Sequence, residues 1–448
     1  MELAGILISV VLLFVLAYIG APVLVIGPFC ALIVIVTNQM PLMETLQSVF
    51  LGSLGSTFGL LFLLGLFGAL MAEFYKSCGG ASSIARGLMG VSKKVFKSNN
   101  SVAVPITVVT LIGMVLCYGG VNGVIVVIVL YPLAMEIMRE YDIPRYMAPG
   151  ILLGATCTAA MTMPGSPQQQ NTIPQMLLGT SSTAGLIPGI IGGVVVVVLC
   201  IWMMSALAKR AMKRGDGFEM PQEMAEAMQA AQKAQADGAK QRKLPNPWIS
   251  AIPLVLTFVL YVIVGMNIVI ALAAGFILCI VCFAPQWKNW KTLCDILTHG
   301  SMDNMGLFVV VCVLSGFGAV VAGTDAFREL CEAVIAIPLP ALFKVLISMA
   351  ITVCIAGSGP AGLSAGIPMF QSTFEALGVN MAAVHRIAAF TGTCLDTLPS
   401  NAAVSISAKL SGYPVKRIYK YCFLTTVLAT SIGAVVVTVL LMLFPGWA

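Results

Sequence analysis

The sequence predicts an all-α polytopic membrane protein built as an inverted repeat of two halves, and three observations predict it. The chain is 59% hydrophobic and 9% charged over 448 residues, with a mean hydropathy of +0.99, whereas a soluble chain carries roughly a quarter charged residues. Its apolar runs are as long as a bilayer is thick. The pattern of the first half also returns in the second at an offset of 235–237 residues.

A helical crossing needs about 20 apolar residues at 1.5 Å rise per residue. The first run, 3–19, lacks the basic flank and cleavage pattern of a signal peptide and is expected to be a retained span. Runs at 21–37 and 57–73 follow, then a run at 101–138 that is too long for one crossing and is broken near its centre, then 147–182 and 185–208. The second half repeats the order with runs at 248–265, 267–284, 305–322, an over-long broken run at 341–378, and then 381–411 and 419–444. Ten crossings and two re-entrant hairpins result. Lys76, Arg86, Lys93, Lys94 and Lys97, then Lys209, Arg210, Lys213 and Arg214, then Lys288 and Lys291, and finally Lys416, Arg417 and Lys420 mark four loops as cytoplasmic. Both termini lack basic residues and are expected outside, in a bacterial inner membrane.

Residues 209–247 form the one long polar segment and read as a cytoplasmic linker. They divide the chain into a first repeat, 1–208 (scaffold 1–100, hairpin and broken span 101–208), and a second, 248–448 (scaffold 248–340, hairpin and broken span 341–448). "CYGGVNG" at 117–123 pairs with "AGSGPAG" at 356–362, and "MTMPGSP" at 161–167 pairs with "DTLPSNA" at 396–402. Each half holds an odd number of crossings, so the second is inverted relative to the first, as in secondary transporters. The thirteen cysteines sit mostly in apolar runs at irregular spacing and read as packing residues, Cys279 and Cys282 included. Gly357, Gly359 and Gly362 satisfy G-x-G-x-x-G, but without a βαβ context the match is accidental.

Glycine and proline end helices sharply, and irregular backbone at membrane depth is costly unless it is buried in protein or lines a polar cavity. Four polar breaks at repeat-related places therefore point to a binding site at the midplane. Restarting half-helices aim unsatisfied N–H groups and positive dipole ends at it, which suits an organic carboxylate. The expected ligands of that carboxylate are Gly120, Asn122, Ser166, Gln168, Asn171, Gly357, Ser358, Gly359, Thr397, Ser400 and Asn401. Ser166, Asn171, Ser400 and Asn401 are the residue types that cap helix restarts. The run Gln168–Asn171 can serve either a hydroxylated substrate or freed backbone groups. No arginine falls in the breaks, which argues against a bidentate clamp for two carboxylates and favours a monoanion.

Asp396 is a carboxylate in the middle of a span, a functional position by default. It reads as a proton carrier or cation ligand. Its repeat counterpart is Met161, so no symmetric pair of acidic cation sites is encoded, and protons are preferred over sodium. His385 is a candidate relay. No cofactor, metal or nucleic-acid partner is implied.

"MPGSPQQQNTIPQMLLGT" (163–180), "AGSGPAGLSAGIP" and "GTCLDTLPSNAAV" resemble the gluconate:proton symporter (GntP) family of the ion transporter superfamily. The resemblance covers nearly the whole chain. It implies proton-coupled uptake of sugar acids or hydroxy acids by a homodimer in which a mobile domain slides within a scaffold like an elevator. The "PGSPQQQN" variant is more similar to the branch associated with 3-hydroxybutyrate than to the gluconate carriers. The alternatives are a sodium-coupled or dicarboxylate carrier of the same fold and, more remotely, an anion channel or an intramembrane hydrolase. The hydrolase reading would need Ser358 with His385, or Asp396 with a second intramembrane acid that the sequence lacks, so the chain is not expected to be an enzyme.

Overall fold

A computed structural model describes residues 2–18, 21–84, 87, 101–219, 244–287, 289–303, 305–356, 358–399 and 401–448. Every regular element among them is helical. The basic residues Arg86, Lys93, Lys94, Lys97 and Lys288, the body of the linker, Gly357 and Ser400 lie outside the described residues.

The first half runs α1 (Glu2–Tyr18), α2 (Val23–Thr37) and a single 36-residue helix α3 (Leu42–Ser77), which opens with a π-turn at Thr45–Phe50. It continues with α4 (Ala103–Tyr118), α5 (Gly123–Glu140), α6 (Ala148–Leu153), α7 (Thr158–Thr162), α8 (Gln169–Leu178) and α9 (Leu186–Lys213). The second half starts at Pro247. It comprises α10 (Pro247–Ile263), α11 (Ile268–Cys282), α12 (Trp290–Asp303), α13 (Met305–Ala322), α14 (Asp325–Ala336), α15 (Ala341–Ala356), α16 (Gly359–Ala376), α17 (Met381–Cys394), α18 (Ala402–Ser411) and α19 (Val415–Leu443). Three of these, α3, α9 and α19, are each long and apolar enough to cross a membrane unaided. Asn246, Asn267 and Asn380 start α10, α11 and α17 by accepting from the backbone N–H two residues on, which satisfies one orphan donor of each helix.

Several helix ends depart from the apolar runs. Helix α3 begins fifteen residues before the apolar run at 57–73, and α9 carries on to Lys213, into the interval assigned to the linker. The run 147–182 breaks twice. Besides the expected gap between α7 and α8, the chain leaves the helix at Gly154–Cys157, where a Cβ on Gly154 would meet Thr425 at 2.8 Å. The neighbouring Gly150 lies directly against the Tyr421 backbone, and a Cβ there would meet it at 2.9 Å. Close helix approach over small residues is the usual solution in a bilayer. Gly150→Val should therefore pry α6 from α19 at a cost of about 1–3 kcal/mol, seen as a lower melting temperature of the detergent-purified protein.

The helices pack in two groups. One gathers α1–α3 with α10–α13, in which α3 lies against α11, α12 and α13, and α2 against α13. The other gathers α4–α9 with α15–α19, in which α17 lies against α8, α15, α16 and α19, and α9 against α19. The groups meet mainly where α13 crosses α16. Exposed apolar side chains such as Ile8, Val25, Val198, Trp202, Val255 and Ile277 cover outer faces, where lipid rather than water is the natural neighbour.

Two helix pairs, α4/α5 and α15/α16, fold back at tight turns. At the first, Gly119–Asn122 bridges the helices, and Gly120 adopts φ +105°, a conformation open to glycine but strained for other residues. Both pairs seat the first residue of the returning helix on a broken helix. A Cβ on Gly123 would meet Met161 at 2.5 Å and Cys157 at 3.2 Å, and one on Gly359 would meet the Gly392 carbonyl oxygen at 1.9 Å and the Asp396 carboxyl carbon at 3.4 Å. Each member of the second trio lies 235 or 236 residues after its counterpart in the first.

Candidate functional site

A cavity of about 170 Å³ opens where the first hairpin tip and the first broken span face α3. One wall is polar and irregular, made of Gly120 and Asn122 at the tip and Pro167, Gln168, Gln169 and Gln170 at the restart of α8, with Met161 beside them. The facing wall is α3 from Phe62 to Ala69, closed by Leu272, Ser301 and Val311. The contrast follows from the sequence. Chain broken by Gly119–Gly120 and by Pro164–Pro167 leaves backbone groups without helical partners, while the glycines and small residues of α3 keep the opposing helix surface shallow.

The amide run from Gln168 divides its work because a helix turns about 100° per residue. The Gln168 amide donates to the Cys117 and Val121 carbonyl oxygens at 2.7 and 3.1 Å and so ties the hairpin tip to the break. Asn171 points away from the cavity and donates to the Ser166 and Ser182 carbonyl oxygens at 2.9 and 3.2 Å. Gln169 and Gln170 complete the cavity wall. Tyr118 closes the same region by donating to the Pro164 carbonyl oxygen.

Of the residues expected to bind a carboxylate, Gly120, Asn122 and Gln168 line this cavity. Ser166, Asn171, Ser358, Gly359, Thr397 and Asn401 do not. Ser166 does not cap α8, whose N-cap residue is Gln168 and makes no side-chain cap; the Ser166 hydroxyl accepts from the Gln168 N–H at 3.3 Å instead. Asn171 lies inside α8 and caps nothing. Asn401 does cap α18, accepting from the Ala403 N–H at 2.7 Å. Thr397 is buried, with a hydroxyl that has no partner among the described residues.

The second hairpin tip holds a different arrangement. Asp396 sits just past the last turn of α17, and its carboxylate accepts from the Gly359 N–H at 2.9 Å, the first donor of α16. An acceptor carrying negative charge is well matched to a helix N-terminus. Asn401 donates to the Asp396 carbonyl oxygen at 2.7 Å, with the carboxylate at 3.5 Å. Three helix ends thus meet on one acid.

His385 and Arg386 are fully buried. His385 Nε2 faces the Asn171 side-chain oxygen at 3.1 Å and Nδ1 faces the Thr180 hydroxyl at 2.6 Å. Because the Asn171 nitrogen is already donating twice, its oxygen is the acceptor, which assigns the proton to Nε2 and makes Nδ1 the acceptor from Thr180. His385 precedes Asp396 by eleven residues, about 16 Å along a helix, so the two do not exchange a proton directly. Arg386 brings to the first break the guanidinium that the local sequence lacks. Its Nη1 donates to the Thr162 carbonyl oxygen at 2.6 Å, its Nε to that of Ala184 at 2.7 Å, and Nη2 has no partner among the described residues. Thr162 ends α7, where a cation complements the helix dipole. Two of its three nitrogens are held by backbone carbonyls, which clamps the loop before α9.

Met161, Pro167 and the α3 wall were not among the expected site residues, while Gln169 and Gln170 belong to the amide run read as serving either a hydroxylated substrate or freed backbone groups. The "QQQN" run carried a signal for the glutamines, since four consecutive amides on a helix cannot face one way. Nothing local in "GLFGALMAEF" distinguishes a cavity wall from a lipid-facing helix.

The sequence profile of the GntP family permease matches residues 1–268. The chain is 25% identical over 478 aligned positions to a protein of Bacillus subtilis (strain 168) described as the uncharacterized transporter YxjC, covering 96% of this chain and 97% of that protein. A crystal structure of the Alcanivorax borkumensis YdaH transporter shares the fold with a TM-score of 0.54 at 16% identity, over 90% of this chain and 89% of the other.

Proposed function

Since the chain belongs to the GntP family of permeases and is a secondary transporter, we propose that it carries a small organic monocarboxylate in symport with protons across the bacterial inner membrane. The observation that carries this reading is the cavity between the broken backbone of the first half and α3. Its polar wall includes the first turn of α8, whose free N–H groups and positive dipole end favour an anion, and it contains no lysine or arginine that would call for a second carboxylate. At about 170 Å³ it is smaller than the roughly 300 Å³ at which drug-sized pockets begin. That favours a short hydroxy acid such as 3-hydroxybutyrate over a six-carbon sugar acid such as gluconate. Gly120, Asn122, Gln168, Gln169 and Gln170 are the substrate-facing residues in this reading. Asp396 alone carries the proton, because His385 is bonded at both nitrogens far along the helix.

The matched trios Gly123/Cys157/Met161 and Gly359/Gly392/Asp396 support an inverted repeat with an acid in only one half. In this reading α4/α5 and α15/α16 are re-entrant hairpins. The group α4–α9 with α15–α19 is the mobile domain of an elevator, and the group around α3 is the scaffold through which a homodimer forms, with both termini outside. The polar segment before α10 is a tether between the repeats.

A thermal-shift screen of the purified protein against hydroxy acids, sugar acids and dicarboxylates at several pH values tests the substrate class. Short monocarboxylates should stabilise most, and more at lower pH. Stabilisation by dicarboxylates alone, or only with sodium present, would overturn the reading.

A further inference from the structure

Helix α19 changes character part-way along. Its first residues, Val415–Cys422, carry Lys416, Arg417 and Lys420, and from Phe423 to Leu443 no charged residue follows. At 1.5 Å per residue the uncharged part is about 30 Å long, the depth of a hydrocarbon core, which sets the three cations at headgroup level. A second cavity, of about 520 Å³, opens at this change of character. Lys416 and Lys420, one helical turn apart, are the charged residues that line it, and Pro399 closes it from the break between α17 and α18. We propose that this cavity binds the headgroup of an anionic phospholipid, with an acyl chain laid along α19. This holds whichever substrate the carrier moves.

Charge complementarity fixes the sign of the occupant. Both lysines are exposed, and no carboxylate pairs with either among the described residues. Lys420 Nζ lies 4.7 Å from the centroid of the Tyr421 ring, a contact that orients the ammonium without neutralising it. Arg417 is engaged elsewhere, with its guanidinium 4.7 Å from the centroid of the Tyr146 ring, and does not line the cavity. Two ammonium groups, each with three N–H donors and no acceptor, suit phosphate oxygens. Basic pockets beside spanning helices are where anionic headgroups bind.

The apolar walls decide between a lipid and a soluble anion. The rings of Tyr419 and Phe423 pack with centroids 6.2 Å apart beside the lysines, and aromatic rings favour the level at which headgroups meet chains. Beyond them Phe423, Leu428, Ile432, Val435 and Val439 are all exposed. From Leu428 onward the spacings of four, three and four residues make one stripe on the helix. Phe423 stands five residues before Leu428, which on a regular α-helix would turn it about 140° away. The π-turn at Phe423–Leu428, in which the Ala429 N–H bonds the Leu424 carbonyl oxygen five residues back, brings it round toward the stripe. A phosphate on the lysines therefore continues into a chain on an unbroken apolar track. A free anion would use only half of the site.

The test is native mass spectrometry of the detergent-purified full chain offered equimolar phosphatidylglycerol and phosphatidylcholine with matched acyl chains. Each lysine at an anionic headgroup is worth about fivefold in affinity, so the wild-type protein should retain phosphatidylglycerol over phosphatidylcholine by at least about tenfold. Lys416→Gln combined with Lys420→Gln should bring that ratio near one, and Lys416→Arg combined with Lys420→Arg should restore it. Lys409→Gln, which removes an exposed lysine from the last turn of α18 outside the cavity, should leave the ratio as it is in the wild type. If the double glutamine variant does not fold, each single substitution reads the ratio instead, and a fall of about fivefold supports the proposal. Equal retention of the two lipids by the wild type, an undiminished ratio in the glutamine variants, or an equal loss in Lys409→Gln overturns it. Inorganic phosphate that displaces phosphatidylglycerol as effectively as added phosphatidylglycerol does would assign the site to a free anion and overturn it as well.

Discussion

Asp396→Asn proteoliposomes should exchange labelled substrate against unlabelled substrate and fail to accumulate it under an imposed pH gradient. Asparagine keeps an oxygen that can accept from the Gly359 N–H, so the junction of α16, α17 and α18 is expected to hold. What is lost is the only acid at that junction among the described residues. Accumulation should fall to simple equilibration, and the pH dependence of exchange should disappear with it. Survival of pH-driven accumulation in this variant would remove Asp396 from the coupling step. Asp396→Ala makes a useful contrast, because it also leaves the Gly359 N–H buried without its acceptor, at about 1–3 kcal/mol, and should lower stability as well as coupling.

Gly68→Leu should abolish binding while leaving the fold intact. Gly68 lines the cavity, and a Cβ built on it meets nothing within 4 Å, so the leucine side chain enters space that substrate would occupy. Leucine is also the better helix former. Affinity should fall at least about tenfold, or 1.4 kcal/mol, with an unchanged or higher melting temperature. Wild-type affinity in Gly68→Leu would place the substrate elsewhere. The variant separates occupancy from coupling, since Asp396→Asn spares the cavity and Gly68→Leu spares the acid.

Much of this architecture was legible before any coordinates. Apolar runs of bilayer length gave the helices, because periodicity and hydropathy are local properties. The Gly/Pro clusters at 117–123, 163–168 and 356–362 gave the breaks, because those residues act on the backbone where they stand. The site was only half legible. Asn122 and Gln168 could be read from their breaks, yet Ser166, Asn171 and Asn401 turned out to bond freed carbonyls and helix ends, since such groups inside a bilayer have no water to satisfy them. The opposing wall around Gly68 comes from a helix some fifty residues before the first tip, and the Arg386 guanidinium reaches the first break from more than two hundred residues away. Contacts of that kind leave no local trace.

Uptake of labelled 3-hydroxybutyrate into proteoliposomes with an alkaline interior tests the central claim most directly. Accumulation above the external concentration, collapsed by a protonophore and absent from Gly68→Leu, is the predicted result. Flux that only equilibrates, unaffected by the pH gradient and undiminished in Gly68→Leu, would contradict both the assigned cavity and proton-coupled carriage.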